Sequence, residues 1–271
     1  MDILKFFLYL AIVVIAISFI MLFLFEHKLI YPGTIKIQRN EFIESIKKHG
    51  FKVKFFKIND NQVEFFEKDI GSDNNILILT GNAEEPIYYL SYFSKILKDH
   101  NIYALNYPSY GDSTGNISEH NITESIEALI ELKDLDKKKL IILGRSLGTG
   151  FATKINSLYP NTSKLILVSP YYSMESLARD YFPVIPKFIT STFMENKIET
   201  YLYAQKINNP VLILYTRKDL VVFKESTEKL AQHFKTKKLF NIENVTHSSI
   251  LSSKEAAKKI IEFIEDKKEA P

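Results

Sequence analysis

The longest hydrophobic pattern in the chain is a block from Phe6 to Phe25 with no charged residue, interrupted only by Tyr9 and Ser18. As an α-helix, about 20 residues at about 1.5 Å each reach about 30 Å, the thickness of a bilayer's hydrocarbon core. A helix also pairs its own backbone N–H and C=O groups, so such a segment can sit in lipid. Glu26, His27 and Lys28 end the block sharply. A cleaved signal peptide has a shorter apolar region followed by small residues at a cleavage site. Glu26-His27-Lys28-Leu29 offers no such site, so residues 1–27 are read as a single-pass transmembrane anchor preceding a domain of residues 28–271. Lys5 flanks the block on one side; Lys28, Lys36 and Arg39 flank it on the other. That count leans toward a cytoplasmic domain, but large domains translocate largely regardless of it, so the side of the membrane stays open.

Beyond the block the pattern changes to short apolar runs bounded by turn residues. Strands are predicted at Phe51–Ile58, Gln62–Glu67, Ile76–Thr80, Ile102–Tyr107, Leu140–Gly144, Lys164–Ser169, Val211–Thr216 and Lys238–Ile242. The first two form a hairpin across Asn59-Asp60-Asn61. Later runs such as Ile76-Leu77-Ile78-Leu79 are apolar on both faces, which suits parallel strands covered by helices on each side. Apolar spacings of three and four predict helices at Ile87–Lys98, Thr123–Lys133, Leu147–Leu158, Ser226–Phe234 and Ser253–Asp266. This alternation reads as a mostly parallel, doubly wound α/β sheet, whose ligands bind beyond the carboxyl ends of its strands. Residues 171–205 break the rhythm with eight aromatics and two prolines, Pro183 and Pro186. They form either a short helical cap over the site or an insertion with a small core of its own.

Composition adds mainly exclusions. Apolar residues make up 46 % and charged residues 25 %, the net charge is +3, and no long basic run occurs. A nucleic-acid partner is therefore not expected. Cysteine is absent, which removes disulfides, a thiolate nucleophile and cysteine-ligated zinc.

The chemistry gathers at strand ends. Gly144-Arg145-Ser146-Leu147-Gly148 follows a predicted strand and opens a predicted helix, the context of a nucleophile elbow. Glycines two residues to either side remove side chains that would collide in so sharp a turn, and the helix N-terminus favours developing negative charge beside Ser146. A serine hydroxyl needs a base. Of the six histidines, His247 follows a late strand in a short loop, where the chain order serine, acid, histidine expects it. His120, in a long loop, stays open. Asp219 follows the strand between them and is the candidate acid; Asp180, in the irregular insertion, is the alternative. The oxyanion would be held by the backbone N–H groups of Leu147, after the nucleophile, and Asn82, after an early strand, with Ala83 next. This chemistry calls for no metal and no organic cofactor.

With these pieces assembled the chain resembles the α/β-hydrolase superfamily, and within it the membrane-anchored group of the yeast bud emergence homologues and mammalian ABHD proteins. Four stretches carry the likeness. Lys28-Leu29-Ile30-Tyr31-Pro32 is similar to that group's entry segment, and Gly81-Asn82-Ala83 to its His-Gly-Asn-Ala oxyanion loop. The stretch from Asn106 to Gly115 is similar to its Tyr-Arg-Gly-Tyr-Gly-x-Ser-x-Gly loop, and Gly144 to Gly150 match its elbow. Thr80 stands where the group has histidine, Pro108-Ser109 where it has Arg-Gly, and Glu84-Glu85 add acid beside the oxyanion loop. The resemblance implies hydrolysis of an ester, thioester or lipid. The anchor and the aromatic insertion point to an amphiphilic acyl substrate. An aminopeptidase-like activity is the alternative, with Glu84, Glu85, Glu195 or Glu199 receiving a substrate amine; a catalytically inactive, membrane-tethered binding platform is another.

Overall fold

The computed structural model describes residues 3–33, 38–183 and 185–266; Lys36, counted above as a flanking charge, and residues 267–271 lie outside them. Eight strands form one sheet: β1 (Lys52–Ile58), β2 (Asn61–Lys68), β3 (Asn74–Leu79), β4 (Asn101–Leu105), β5 (Lys139–Arg145), β6 (Lys164–Val168), β7 (Val211–Tyr215) and β8 (Lys237–Asn241). Their order is β1-β2-β4-β3-β5-β6-β7-β8. β1 and β2 form the predicted hairpin, and Ile58 pairs with Asn61 around the turn. Asn59 there has φ 52°, a left-handed conformation that asparagine tolerates better than most residues. β2 runs antiparallel to β4; from β4 through β8 the neighbours are parallel.

The helices are α1 (Ile3–Ile30), α2 (Arg39–Lys48), α3 (Ile87–Ile96), α4 (Glu119–Leu132), α5 (Leu147–Leu158), α6 (Met174–Tyr181), α7 (Lys187–Phe193), α8 (Thr200–Ala204), α9 (Lys224–Ala231) and α10 (Lys254–Glu265). Successive strand residues point to opposite faces, so each apolar run feeds two cores. Leu77, Leu79, Ile142 and Leu167 pack with α4, α5 and α9. Ile76, Ile78, Leu143 and Ile166 pack with α2, α3 and α10. α2 is an addition to the predicted helices; its Phe42, Ile43 and Ile46 show the spacing that seats it on the second core.

α1 differs from the expected anchor in length. It runs past Phe25 to Ile30, so the boundary expected after residue 27 falls inside a helix. Its segment Ile3–Ile20 is long and apolar enough to cross a membrane and is only 6 % buried. Its far end packs into the first core, where Ile30 and the following Tyr31 are buried.

The chain leaves β3 toward β4 on one side and returns to β5 on the other. The crevice at the carboxyl ends of β3 and β5 is thus the sheet's topological switch point, where ligands bind in such folds.

Candidate active site

Ser146 sits on the turn from β5 into α5 with φ 49° and ψ −120°. Such a conformation costs a non-glycine residue about 1–3 kcal/mol, and the surroundings hold it in place. Its N–H bonds to the Val168 carbonyl at 2.9 Å, and its carbonyl accepts the Thr149 N–H at 2.9 Å. Gly148 makes room for the turn: a Cβ there would lie 2.3 Å from the Leu79 carbonyl oxygen at the end of β3. The helix can press this close to the sheet only without that side chain.

His247 Nε2 lies 3.0 Å from Ser146 Oγ, and His247 Nδ1 lies 2.8 Å from Asp219 Oδ2. Asp219 follows β7 and His247 follows β8, so three strand ends meet. The other carboxylate oxygen, Oδ1, accepts the backbone N–H groups of Val221 and Val222 at 2.9 and 2.8 Å. Burial alone would raise the Asp219 carboxyl, but the hydrogen bond and charge of His247, with the Val222 and Val221 N–H groups, outweigh it and hold it below the usual aspartate range. The charged carboxylate can therefore pair with an imidazolium. Asp180, the alternative acid, lies exposed on α6. The other described histidine rings are engaged elsewhere or lie away from Ser146: His49 contacts the Ser45 carbonyl, His100 precedes β4 at the opposite end of the sheet, His120 is exposed on α4, and His233 packs against Tyr172 and Tyr201.

Asn82 and Leu147 both border the cavity that reaches Ser146. In the loop after β3, the Gly81 N–H goes to Glu84 Oε2 at 3.2 Å and the Ala83 N–H to the Tyr110 hydroxyl at 3.3 Å. The N–H groups of Asn82 and Leu147 have no acceptor among the described residues. Leu147 opens α5, so its N–H belongs to the first turn, which has no intrahelical partner.

Arg145, to which the sequence assigns no role, and Glu84, expected there only as a receiver of a substrate amine, brace this arrangement. Arg145, inside the elbow and 3 % exposed, pairs with Glu84 beside the oxyanion loop. Its Nη2 also donates to the His247 carbonyl at 2.9 Å. One guanidinium thus ties the loop after β3 to the loop carrying the histidine. Glu85 is likewise committed, buried against Arg39 at 2.9 Å and the Asn106 amide at 3.1 Å. Only the unusual pairing of acid and arginine beside glycine-rich turns hinted at these links.

The cavity has a volume of about 500 Å³. Met174, Leu177 and Tyr181 of α6, with Phe182, Ile185 and Met194, line it, so part of the segment between β6 and β7 borders the site. Ile17, Ser18, Glu26 and Ile30 of α1 border it as well. No group of acidic or histidine residues suited to a metal ion occurs among the described residues.

No family model matches the chain. It is 32 % identical over 187 residues to a protein of Acanthamoeba polyphaga mimivirus named as an α/β-hydrolase, spanning 65 % of this chain and 67 % of that one. It is 24 % identical over 217 residues to an uncharacterized membrane protein of Saccharomyces cerevisiae, covering 76 % of each chain. It is also 24 % identical over 239 residues to bem46 of Schizosaccharomyces pombe, covering 79 % of this chain and 75 % of the relative. Among solved structures, a bacterial membrane phospholipase A superimposes with a TM-score of 0.68 at 15 % identity, over 98 % of this chain and all of that one. At that identity the likeness is one of fold.

Proposed function

Because this chain belongs to the α/β-hydrolase superfamily, we propose that it is a membrane-anchored serine hydrolase that cleaves carboxylic ester or thioester bonds through an acyl-enzyme. The observation that carries this reading is the unbroken line from Asp219 through His247 to Ser146, with contacts of 2.8 and 3.0 Å. Ser146 Oγ attacks the acyl carbon while His247 Nε2 takes its proton. The carbonyl oxygen becomes an oxyanion held by the Asn82 and Leu147 N–H groups, whose freedom from other acceptors fits that role. Each donor in such a hole is worth about 10²–10³ in rate. His247 returns the proton to the leaving alcohol or thiol as the carbon–heteroatom bond breaks. Water, activated by His247, then attacks the acyl-enzyme and releases the acid. Asp219 holds Nδ1–H toward itself, leaving Nε2 free to accept.

The first segment is the anchor, with a single crossing, and residues 171–205 are the cap of the hydrolase domain. Relatives named as a membrane protein and as a membrane phospholipase A favour a membrane setting and a lipid-like acyl substrate. The acids that an amine-recognising peptidase would use are committed or turned away. Glu84 pairs with Arg145, Glu85 with Arg39, Glu199 accepts the Tyr201 hydroxyl, and Glu195 is exposed outside the cavity lining. An uncharged acyl group suits the cavity better.

The test is labelling with a fluorophosphonate probe alongside hydrolysis of a short ester. Wild-type protein should label and turn over, and Ser146→Ala should do neither while keeping its thermal unfolding profile. Failure of the wild-type protein to label under turnover conditions favours a binding platform, and labelling of the variant moves the nucleophile elsewhere.

A further inference from the structure

α1 is bare toward its N-terminal end and covered on one side toward its C-terminal end. Ser18, Glu26 and Ile30, spaced by eight and four residues, lie on one helical face and are 7, 8 and 7 % exposed. Leu4, Tyr9 and Ile12 are 82, 60 and 53 % exposed. The covered residues border the cavity over Ser146, and Ile30 also packs into the first core.

This docking is specific. The Glu26 carboxylate accepts the Glu195 N–H at 3.1 Å, the Asn196 N–H at 2.8 Å and the Asn196 side-chain amide at 3.3 Å. These donors lie just beyond α7. A carboxylate this deeply buried is tolerated only when its oxygens are satisfied, so the three donors fix the rotation of α1 against the cap. One helical stretch further toward the N-terminus, Phe19 meets Phe193 edge to face at 4.8 Å, a contact that holds the same face inward.

The outer margin of the cavity is apolar. Ile17 of α1, Tyr181 and Phe182 of the cap and Val221 from the loop after β7 all border it, and each is 42–55 % exposed. Ile17 and Ser18 also fall in the last turn of the apolar window Ile3–Ile20. The cavity therefore begins where the membrane-crossing surface ends. An apolar rim facing water would be unfavourable, whereas against lipid it costs nothing.

We propose that α1 is one wall of the substrate site as well as an anchor. In this arrangement the cavity opens toward the bilayer and takes one long acyl chain of a membrane lipid directly from the leaflet. The chain lies between α1 and the cap, with its carbonyl at Ser146. This rests on the serine-hydrolase reading above and adds the route and the class of substrate.

The experiment uses the full-length protein in lipid nanodiscs and a long-chain alkyl fluorophosphonate bearing a diazirine near the end of its tail. Serine displaces fluoride, fixing the head at Ser146, and light then links the tail to whatever surrounds it. Peptide mapping should find the tail on residues 17–30 of α1 and on α6. A Ser146 adduct whose tail links only outside α1 overturns this inference and leaves the hydrolase reading intact. Absence of any Ser146 adduct overturns the hydrolase reading itself. As a second measurement, Ile17→Trp, at a half-exposed position that can accept a larger ring, should lower the ratio of kcat/KM for dodecanoyl over butanoyl esters about tenfold. Val13→Trp, on an exposed part of the same helix, should keep the wild-type ratio. Equal ratios in the two variants count against the wall.

Discussion

Asp219→Asn tests the site more sharply than removal of the nucleophile, because the structure dictates how the amide must sit. Asp219 is 4 % exposed, and its Oδ1 accepts two backbone N–H groups, from Val221 and Val222. In the variant those donors demand an oxygen. Turning the amide the other way would set its NH₂ against two N–H groups and leave them unsatisfied, at about 1–3 kcal/mol for each one buried. The asparagine oxygen therefore stays on the Val221–Val222 turn, and its NH₂ takes the place of Oδ2, 2.8 Å from His247 Nδ1. A donor at that point requires Nδ1 to accept, so the imidazole carries its proton on Nε2. That nitrogen then donates toward Ser146 and can no longer take its proton.

The expected loss in kcat is about 10⁴-fold, or about 5.5 kcal/mol at about 1.36 kcal/mol per decade. Thermal stability should change little, because the turn keeps its acceptor. Asp219→Ala should differ in the second respect: it strips the acceptor from the buried Val222 N–H and should lower the unfolding temperature as well as activity. Steady-state kinetics on a short chromogenic ester, with thermal unfolding of the same samples, measures both. An Asp219→Asn protein within tenfold of wild type refutes the reasoning, and loss of activity in Asp180→Asn instead would mean that the acid is misassigned.

Gly148→Ala should destabilise the fold by about 1–3 kcal/mol through overpacking against the Leu79 carbonyl, read as a lowered unfolding temperature; an unchanged value would mean that α5 has room to spare. Glu84→Gln and Arg145→Met should each reduce kcat more than they alter KM, and a double-mutant cycle should give a coupling of about 1 kcal/mol or more; additive effects would show that the pair does not brace the site. Full-length protein should remain with membranes through alkaline carbonate washing, whereas a chain beginning at Lys28 should be largely soluble. Lacking Glu26, that shorter chain should unfold at a lower temperature than the full-length protein in detergent, and equal stability would argue that the α1 clamp carries no weight.

All eight strands were legible because each carries its own boundary signal and an apolar run, and the ends differ from expectation by one or two residues. α5 was legible at Leu147–Leu158 for the same reason: glycines mark its start and apolar spacing its length. α2 is hard to see in the sequence although Phe42, Ile43 and Ile46 carry a helical spacing, because a short polar segment beside a long apolar block shows little contrast. In residues 171–205 the aromatics are dense enough to obscure any period, so three short helices could not be separated from loop. The segment's contacts with α1 join residues about 170 apart in the chain, such as Glu26 with Asn196. Local pattern cannot report a contact at that separation. Even so, Ser18, one of the two polar interruptions of the apolar block, and Glu26, the first of the charged residues that end it, both border the cavity.

The departures around the oxyanion loop compensate one another. Thr80 stands where the resembling group has histidine, and it is drawn inward: its hydroxyl donates to the Glu84 carbonyl at 3.3 Å and its carbonyl accepts the Tyr107 hydroxyl at 2.9 Å. Glu84, an added acid in the sequence, takes the Gly81 N–H and the Tyr89 hydroxyl. Its remaining charge is met by Arg145, whose other nitrogen reaches the His247 carbonyl. With Gly81 and Ala83 both occupied, the Asn82 N–H between them has no acceptor among the described residues. A group freed of competing acceptors and held on a braced loop needs no reorganisation when charge develops beside it, which is the condition under which a hydrogen bond lowers a barrier most. Acid at Glu84 that would disfavour an oxyanion if left bare is thereby paired with Arg145, and its carboxylate takes the Gly81 N–H while leaving that of Asn82 without an acceptor.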